Sequence, residues 1–356
     1  MEQKHTTPAN NIVYSAMQPT NTPTIGNYLG AIKNWVAMQQ DHECFYSIAD
    51  LHSLTVFMDA ATLRKNILDM YALLLACGIS NDKCVFFKQS SVSEHSQLAW
   101  VLNCHTQFGE ARRMTQFKEK SSKVNIKWVQ NLKEQVLDLK DRVVNNDNVN
   151  VGLFAYPILQ AADILLYNAG LVPIGQDQKQ HLELSRNIAE RFNQKYSPTF
   201  TVPEVLIPKV AAKINDLADP TKKMSKSSEN PNSAIFMTDD NDAIVRKIKR
   251  AVTDSDGRVE YSDKKPGIAN LLRIYAAFEN ISINEASKKF HDSNYANFKE
   301  AVAAIVVHHL EPIRNEYFRL KEDKQYLLDN MEKGAERARV VARKTMSKVY
   351  RKIGLN

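Results

Sequence analysis

Short uncharged apolar runs alternate along the first half of the chain with longer segments whose apolar residues recur every three or four positions. Residues 12–16, 44–48, 84–87 and 171–174 are runs of strand type. Between them the pattern predicts helices over 26–40, 59–77, 93–104, 153–167 and 176–193. Asp59 is placed to cap the second of these and Gly78 to stop it. Strands and helices in this alternation predict an α/β fold, a doubly wound, Rossmann-like parallel sheet with right-handed crossovers. Residues 205–210 form a further apolar stretch before a polar loop, and beyond about residue 232 strand signals stop. Segments 240–252, 268–278, 284–290, 295–321 and a terminal helix from Lys333 then predict an α-helical bundle. The expected division is a frayed polar tail (1–11), an α/β domain (12–231) and a helical domain (232–356). The α/β domain carries a lysine-rich insertion at about 121–150, with a helix over 128–143, and a mobile lysine-serine loop at 219–230.

Composition narrows the class. Apolar content of 44% and charged content of 24% over 356 residues are those of an ordinary soluble globular protein, and two domains suit that length. No uncharged apolar run is long enough for a membrane helix, and the polar N-terminus lacks the apolar stretch of a secretory signal. Cys44, Cys77, Cys84 and Cys104 are scattered, which reads as free thiols in a reducing cytosol. The net charge of +7 is more telling in its distribution. Between Lys333 and Lys352 eight cations stand against Glu336 alone, so residues 1–332 are formally neutral. Lys333, Arg337, Lys344, Lys348 and Arg351 fall on one helix face, with Ala335, Ala338, Ala342, Thr345, Met346 and Val349 opposite. Such a helix docks by one side and shows a cationic stripe on the other, either as a solvated face or toward a phosphate backbone.

Four stretches carry candidate chemistry. Asp219-Pro220-Thr221-Lys222-Lys223-Met224-Ser225-Lys226-Ser227-Ser228 gathers ammonium and hydroxyl groups with almost nothing to bury, suited to a surface loop that grips a polyphosphate. Gln18 to Asn27 follows the first strand and opens a helix, so free N–H groups and the positive dipole end face the space above the strand tips. There Thr24 and Asn27 add donors, and Gly26 admits a ligand to the backbone. Asp163 is the only charged side chain between residues 148 and 176, in an otherwise apolar helix, and so needs a partner. It serves either as a structural hydrogen-bonder or as acceptor for an apolar ligand with one N–H or O–H. Gly175-Gln176-Asp177-Gln178 ends a strand, where open parallel sheets bind ligands, and His52 follows the second strand toward the same crevice. Neither a Gly-x-Gly-x-x-Gly after the first strand nor a Walker loop occurs, which argues against dinucleotide oxidoreductases and P-loop NTPases.

Together these residues resemble bacterial-type tryptophanyl-tRNA synthetases, class I aminoacyl-tRNA synthetases, over nearly the whole chain. Thr24-Ile25-Gly26-Asn27 looks like the family's His-Ile-Gly-His signature, and Lys223-Met224-Ser225-Lys226-Ser227 is its second signature unchanged. Gly175-Gln176-Asp177-Gln178-Lys179-Gln180-His181, Ala161-Ala162-Asp163-Ile164-Leu165 and Met114 to Lys120 are similar to subfamily segments. The resemblance implies ATP contacts from Gln18, Pro19, Thr20, Gly26, Asn27, Gly175, Gln176, Asp177, Lys223, Met224, Ser225, Lys226 and Ser227. It implies catalytic roles for Thr24, Asn27, Lys120, Lys223 and Lys226, and a tryptophan pocket of Asp163, Tyr14, His52, Tyr156, Gln160, Val172, Ile174 and Gln178. It also implies a homodimer that uses ATP with Mg2+, for which no protein ligand is assigned, and reads the anticodon of tRNA(Trp) with its helical domain. Ala16 and Gln160 depart from the glycine and methionine of the family pattern, Thr20-Asn21 from a Ser-Gly pair, and Gln176 from a glutamate. The rival readings are a tyrosyl-tRNA synthetase, a non-catalytic RNA-binding relative that has lost signature lysines, and a general nucleotidyltransferase.

Overall fold

A computed structural model describes residues 11–114, 150–175, 178–206, 213–226, 228 and 230–355. Five strands, β1 (Ile12–Met17), β2 (Glu43–Ile48), β3 (Val85–Lys88), β4 (Leu171–Pro173) and β5 (Glu204–Leu206), form one parallel sheet in the order β3-β2-β1-β4-β5. The order reverses at β1, which sends the chain outward to β2 on one side and takes β4 on the other. β1 and β2 stay in register from Ile12↔Glu43 to Met17↔Ile48, whereas β1 and β4 share only the pair Val13↔Leu171. The two strands therefore part above that pair, and a crevice opens at their carboxyl ends.

The strands are apolar on both faces because helices cover both. Val13, Cys44, Tyr46 and Phe86 feed one apolar cluster, with α4 (Ala60–Ala76), α10 (Pro266–Glu279) and α12 (Tyr295–Glu322). The alternating Tyr14, Phe45, Val85 and Phe87 feed the other, with α5 (Glu94–Asn103), α7 (Val151–Leu166) and α8 (Lys179–Tyr196). The caps expected from sequence are in place. Asp59 accepts from the N–H groups of Ala61 and Thr62 at 3.1 and 2.9 Å, and Gly78 ends α4 at φ +101°. The remaining helices are α1 (Ile25–Asn27), α2 (Lys33–Met38), α3 (Asp50–Ser53), α6 (Phe108–Arg112), α9 (Asn241–Arg250), α11 (Ile283–Lys289) and α13 (Lys324–Ile353). The single helix expected over 26–40 is interrupted by a π-helical turn, Tyr28–Ile32, directly after the Thr24–Asn27 motif. The helix expected over 128–143 lies outside the described residues.

The terminal helix departs most from expectation. It begins nine residues before Lys333, capped by Asp323, and is not part of a free-standing bundle. Leu327 and Met331 pack into the first apolar cluster, whereas Ala335, Ala338, Ala342, Met346 and Val349 pack into the second. The helix thus passes around the free edge of β3 from one face of the sheet to the other. It crosses at Gly334, where a Cβ would stand 1.9 Å from the carbonyl oxygen of Phe86. The face predicted to dock is the face that is buried, and small residues permit the approach. A bare sheet edge is thereby closed. Gly334→Ala should lower stability by about 3 kcal/mol, because the backbone contact cannot relax as a flexible side chain would. An unchanged urea midpoint for that variant would contradict the crossing.

Candidate active site

The crevice between β1 and β4 holds a cavity of about 390 Å³, within the range of about 300–1,000 Å³ usual for ligand pockets. Tyr14, His52, Tyr156, Gln160, Asp163, Val172, Ile174 and Gln178, all eight residues expected to form one pocket, line it. Ala16, at a position where sequence departs from the family pattern, lines it too, as does Gln18. Each element contributes for a geometric reason: β1 and β4 supply the residues where they separate, and α7 lays Asp163 beneath them.

Asp163 is 1% exposed and accepts three hydrogen bonds. Gln89 Nε2 donates to Oδ1 at 2.7 Å, His95 Nδ1 lies 2.6 Å from Oδ1, and His52 Nε2 lies 2.8 Å from Oδ2. Burial alone would raise the carboxyl pKa, but hydrogen bonds and charge from His52 and His95 outweigh it and hold Asp163 well below the usual carboxylate range. The carboxylate is therefore ionised, and the histidine nitrogens facing it donate. Such a group offers about four acceptor positions, so three bonds leave one on Oδ2 for a donor inside the cavity. His95 and Gln89 were not foreseen. The one sequence signal is that His95 shares the α5 stripe of Leu98 and Leu102, but its polar neighbours mask it, and Gln89 has none; both are fully buried. His95 Nε2 is also 2.9 Å from the Tyr167 hydroxyl, while the Tyr14 hydroxyl pairs with Ser47 Oγ at 2.8 Å. Burial, reinforced by the charge of Asp163, pushes both tyrosines well above their ordinary range, so both hydroxyls stay neutral.

The far wall carries a second polar chain. His181 Nδ1 lies 2.8 Å from Gln178 Oε1, which can only accept, so His181 carries its proton on Nδ1. Its Nε2 then accepts from the Tyr156 hydroxyl at 3.1 Å. Gln160 Nε2 donates to Gln178 Oε1 at 3.4 Å, which gives the departing Gln160 a place in the wall.

The candidate phosphate-binding residues are distributed differently. Gln18 and Gly175 line the mouth of the cavity, whereas Pro19 and Lys226 line a second cavity of about 490 Å³ beside α4. Thr20 donates its N–H to the Gln18 carbonyl at 2.9 Å. Asn21 has φ +106°, a backbone conformation that favours glycine, so asparagine in place of the family's glycine is held in strain. Thr24 is 1% exposed, and its N–H and hydroxyl both donate to Asn27 Oδ1, at 3.0 and 3.2 Å. These two side chains cap the helix start instead of aiming at open space. A Cβ on Gly26 would meet Ile214 and Met224 at 3.6 and 3.7 Å, so Gly26 faces the lysine-serine loop. Lys120, Gln176, Asp177 and Ser227 lie outside the described residues.

The lysine-serine loop corrects the expectation that it buries almost nothing. Met224 is 5% exposed within the first apolar cluster, its N–H bonded to the Ile214 carbonyl at 3.1 Å. Asn215 bridges Lys223, and Asn215 Nδ2 donates to the Pro220 carbonyl at 2.6 Å. Met224 thus pins the loop against Gly26, while Lys223 and Ser225 stay exposed. Lys226 is half-buried with no partner among the described residues, and burial lowers its pKa to about 8. Such a group gains a proton when a polyanion arrives.

A family model for class I tRNA synthetases of the tryptophan and tyrosine type matches residues 7–311. The chain is 46% identical over 343 residues to a tryptophan–tRNA ligase of Clostridium acetobutylicum, covering 96% of each. It is similar in structure to a tryptophanyl-tRNA synthetase from Mycoplasma pneumoniae, with 32% identity, a TM-score of 0.83 and coverage of 98% of both chains. It is also similar to a Campylobacter jejuni tryptophanyl-tRNA synthetase complexed with ADP and tryptophan, with 31% identity and a TM-score of 0.76 over 97% of this chain and 100% of that one.

Proposed function

The chain belongs to the class I tRNA synthetases of the tryptophan and tyrosine type, and on that premise we propose how its residues share the reaction. It is a tryptophan–tRNA ligase, which activates L-tryptophan with ATP to tryptophanyl-adenylate and pyrophosphate and passes the acyl group to tRNA. One observation supports the assignment of roles above the others. A buried anion with one acceptor position left faces a cavity otherwise walled by aromatic, aliphatic and amide groups. That suits a ligand with a large apolar body and a single N–H, as in an indole.

In this reading the tryptophan carboxylate attacks the α-phosphorus of ATP in line. The bond to the β-phosphate bridging oxygen breaks, and pyrophosphate leaves with both electrons. A ribose hydroxyl at the tRNA 3′ end then attacks the acyl carbon, loses its proton and displaces AMP. Neither step needs a covalent enzyme intermediate, so the work is positioning and charge stabilisation. Gln18, Gly175 and the turn that leads to Gly26 hold the nucleotide, while the Thr24 and Asn27 side chains brace that turn, with Gln176, Asp177 and Lys120 expected beside it. Lys223 and Lys226 neutralise the departing phosphates, and the loop swings on its Met224 anchor. Magnesium arrives with the triphosphate, since it binds chiefly through phosphate oxygens and water. A homodimer is proposed as well, supported by the exposed apolar side chains Leu54, Val56, Phe57, Trp100, Phe108 and Val151, of which Phe57 is 95% exposed. A cytoplasmic location agrees with the four free cysteines.

Exchange of label between pyrophosphate and ATP should require tryptophan and not tyrosine, and exchange supported by tyrosine alone would reverse the substrate assignment. A site built on a required hydrogen bond rejects an analogue without it by about 10⁴–10⁵. Asp163→Ala should therefore lose most of its preference for tryptophan over phenylalanine in kcat/KM, and an unchanged ratio would remove Asp163 from recognition. Lys226→Ala should slow adenylate formation by a factor of about 10² or more while tryptophan affinity changes little. Because the free Lys226 amine titrates near pH 8 and the bound triphosphate favours its charged form, ATP affinity should be level below pH 8 and fall above it. Lys226→Ala should flatten that profile, and a flat parental profile would show that the amine does not meet the phosphates. Sedimentation should give two chains per particle, and Phe57→Asp should give one.

A further inference from the structure

The outward side of α13 is not used by any step above. From Arg337 onward the helix carries seven cations and no acid. Some are consumed in docking: Arg337 donates to the carbonyls of Asn81 and Cys84, Arg339 to the carbonyl of Ser91, and Arg343 Nε to Glu94 at 3.3 Å. Lys348 and Lys352 donate to Thr199 O and Ser197 Oγ at 3.1 and 2.6 Å, bonds to neutral groups that leave both charges standing. Lys344 and Arg351 are exposed and have no partner among the described residues. Lys344, Lys348 and Arg351 are spaced i, i+4, i+7 on one face, Lys352 lies beside them, and exposed Lys195 precedes by two residues the Ser197 that Lys352 holds.

We propose that this patch of Lys195, Lys344, Lys348, Arg351 and Lys352 is a docking surface for the phosphate backbone of the tRNA. The inference rests on the ligase reading, which supplies a polyanionic substrate. Favourable interaction with a helix C-terminus is confined to the last turn, so it accounts for Arg351 and Lys352 but not for Lys344, Lys348 or Lys195. The residues facing outward here are charged rather than apolar, which suits neither a packed helix nor a lipid interior. Residues 1–336 are formally neutral, so long-range attraction for RNA has its excess charge in this helix. Ser197 and Thr199 feed β5 and lie at the amino ends of the strands, opposite the cavity. The patch therefore anchors the nucleic acid away from the reacting atoms, and contributes affinity without sequence reading or chemistry.

The test is the double charge reversal Lys344→Glu with Arg351→Glu in the full-length chain. Tryptophan-dependent pyrophosphate exchange without tRNA should stay at the parental rate. The KM for tRNA in aminoacylation should rise about tenfold or more, and its dependence on log salt should weaken by about one to two in slope. The swap Lys344→Arg with Arg351→Lys should keep parental values. A KM and salt slope within twofold of the parent would overturn the proposal. So would joint loss of exchange and aminoacylation, which would make these cations structural. A parental chain that fails to exchange with tryptophan would instead undo the ligase reading itself, and this inference with it.

Discussion

The structure depends on keeping one carboxylate charged inside an apolar helix. An unpaired buried carboxylate costs several kcal/mol, and Asp163 avoids that through donors from three separate elements. Gln89 ties them together. Its Nε2 donates to Asp163, and its Oε1 accepts from the Leu51 N–H at 3.2 Å, at the start of the helix that carries His52. Asp50 closes the arrangement by accepting from the Ser90 N–H at 2.9 Å. The ends of β2 and β3 and the last turn of α7 are thereby fixed to one another around the anion. A network satisfied on all sides is rigid, so the acceptor position that remains is presented to the cavity without a reorganisation cost. The same three bonds hold the anion in place and leave its remaining acceptor position on the cavity side.

Separation of the sheet at β1 and β4 gives that anion a space to face. The second cavity, with Lys226 on its wall, lies on the other side of the Pro19–Pro23 turn. In this arrangement the buried anion Asp163 and Lys226 of the cationic loop line different cavities. Gly26 and Met224 face one another without a side chain between them, and beside them Ile25 donates its N–H to the Ile235 carbonyl at 2.9 Å.

Most of the fold was legible in the sequence because its signals are local. Strands buried on both faces read as apolar runs, Asp59 and Gly78 mark their helix by capping chemistry, and Asp163 announces itself as a lone charge among apolar neighbours. What stayed hidden depends on contacts distant in sequence. Gln89 and His95 sit in a polar stretch, Gln89-Ser90-Ser91-Val92-Ser93-Glu94-His95, that resembles surface until the partner 68 residues beyond His95 is in place. Met224 looks exposed within its loop because its anchors, Ile214 and Gly26, are not adjacent to it. The π-helical turn after Asn27 has no periodic signature of its own. Asn21 shows as a departure from a family pattern, but only its positive φ explains why glycine is the usual occupant there. The terminal helix was readable as amphipathic, yet amphipathicity does not name the surface that receives it.

That helix sets the timetable of folding. Residues 334–337 cover the edge strand at residues 84–86, about 250 positions earlier, so the sheet keeps a bare edge until α13 has docked. Contacts of such separation form late and slowly. A chain in which α13 has not docked would hold nearly every residue of the crevice, yet it would expose unpaired strand groups and a stripped apolar face. Forms in that state should accordingly be substrates for chaperones and proteases.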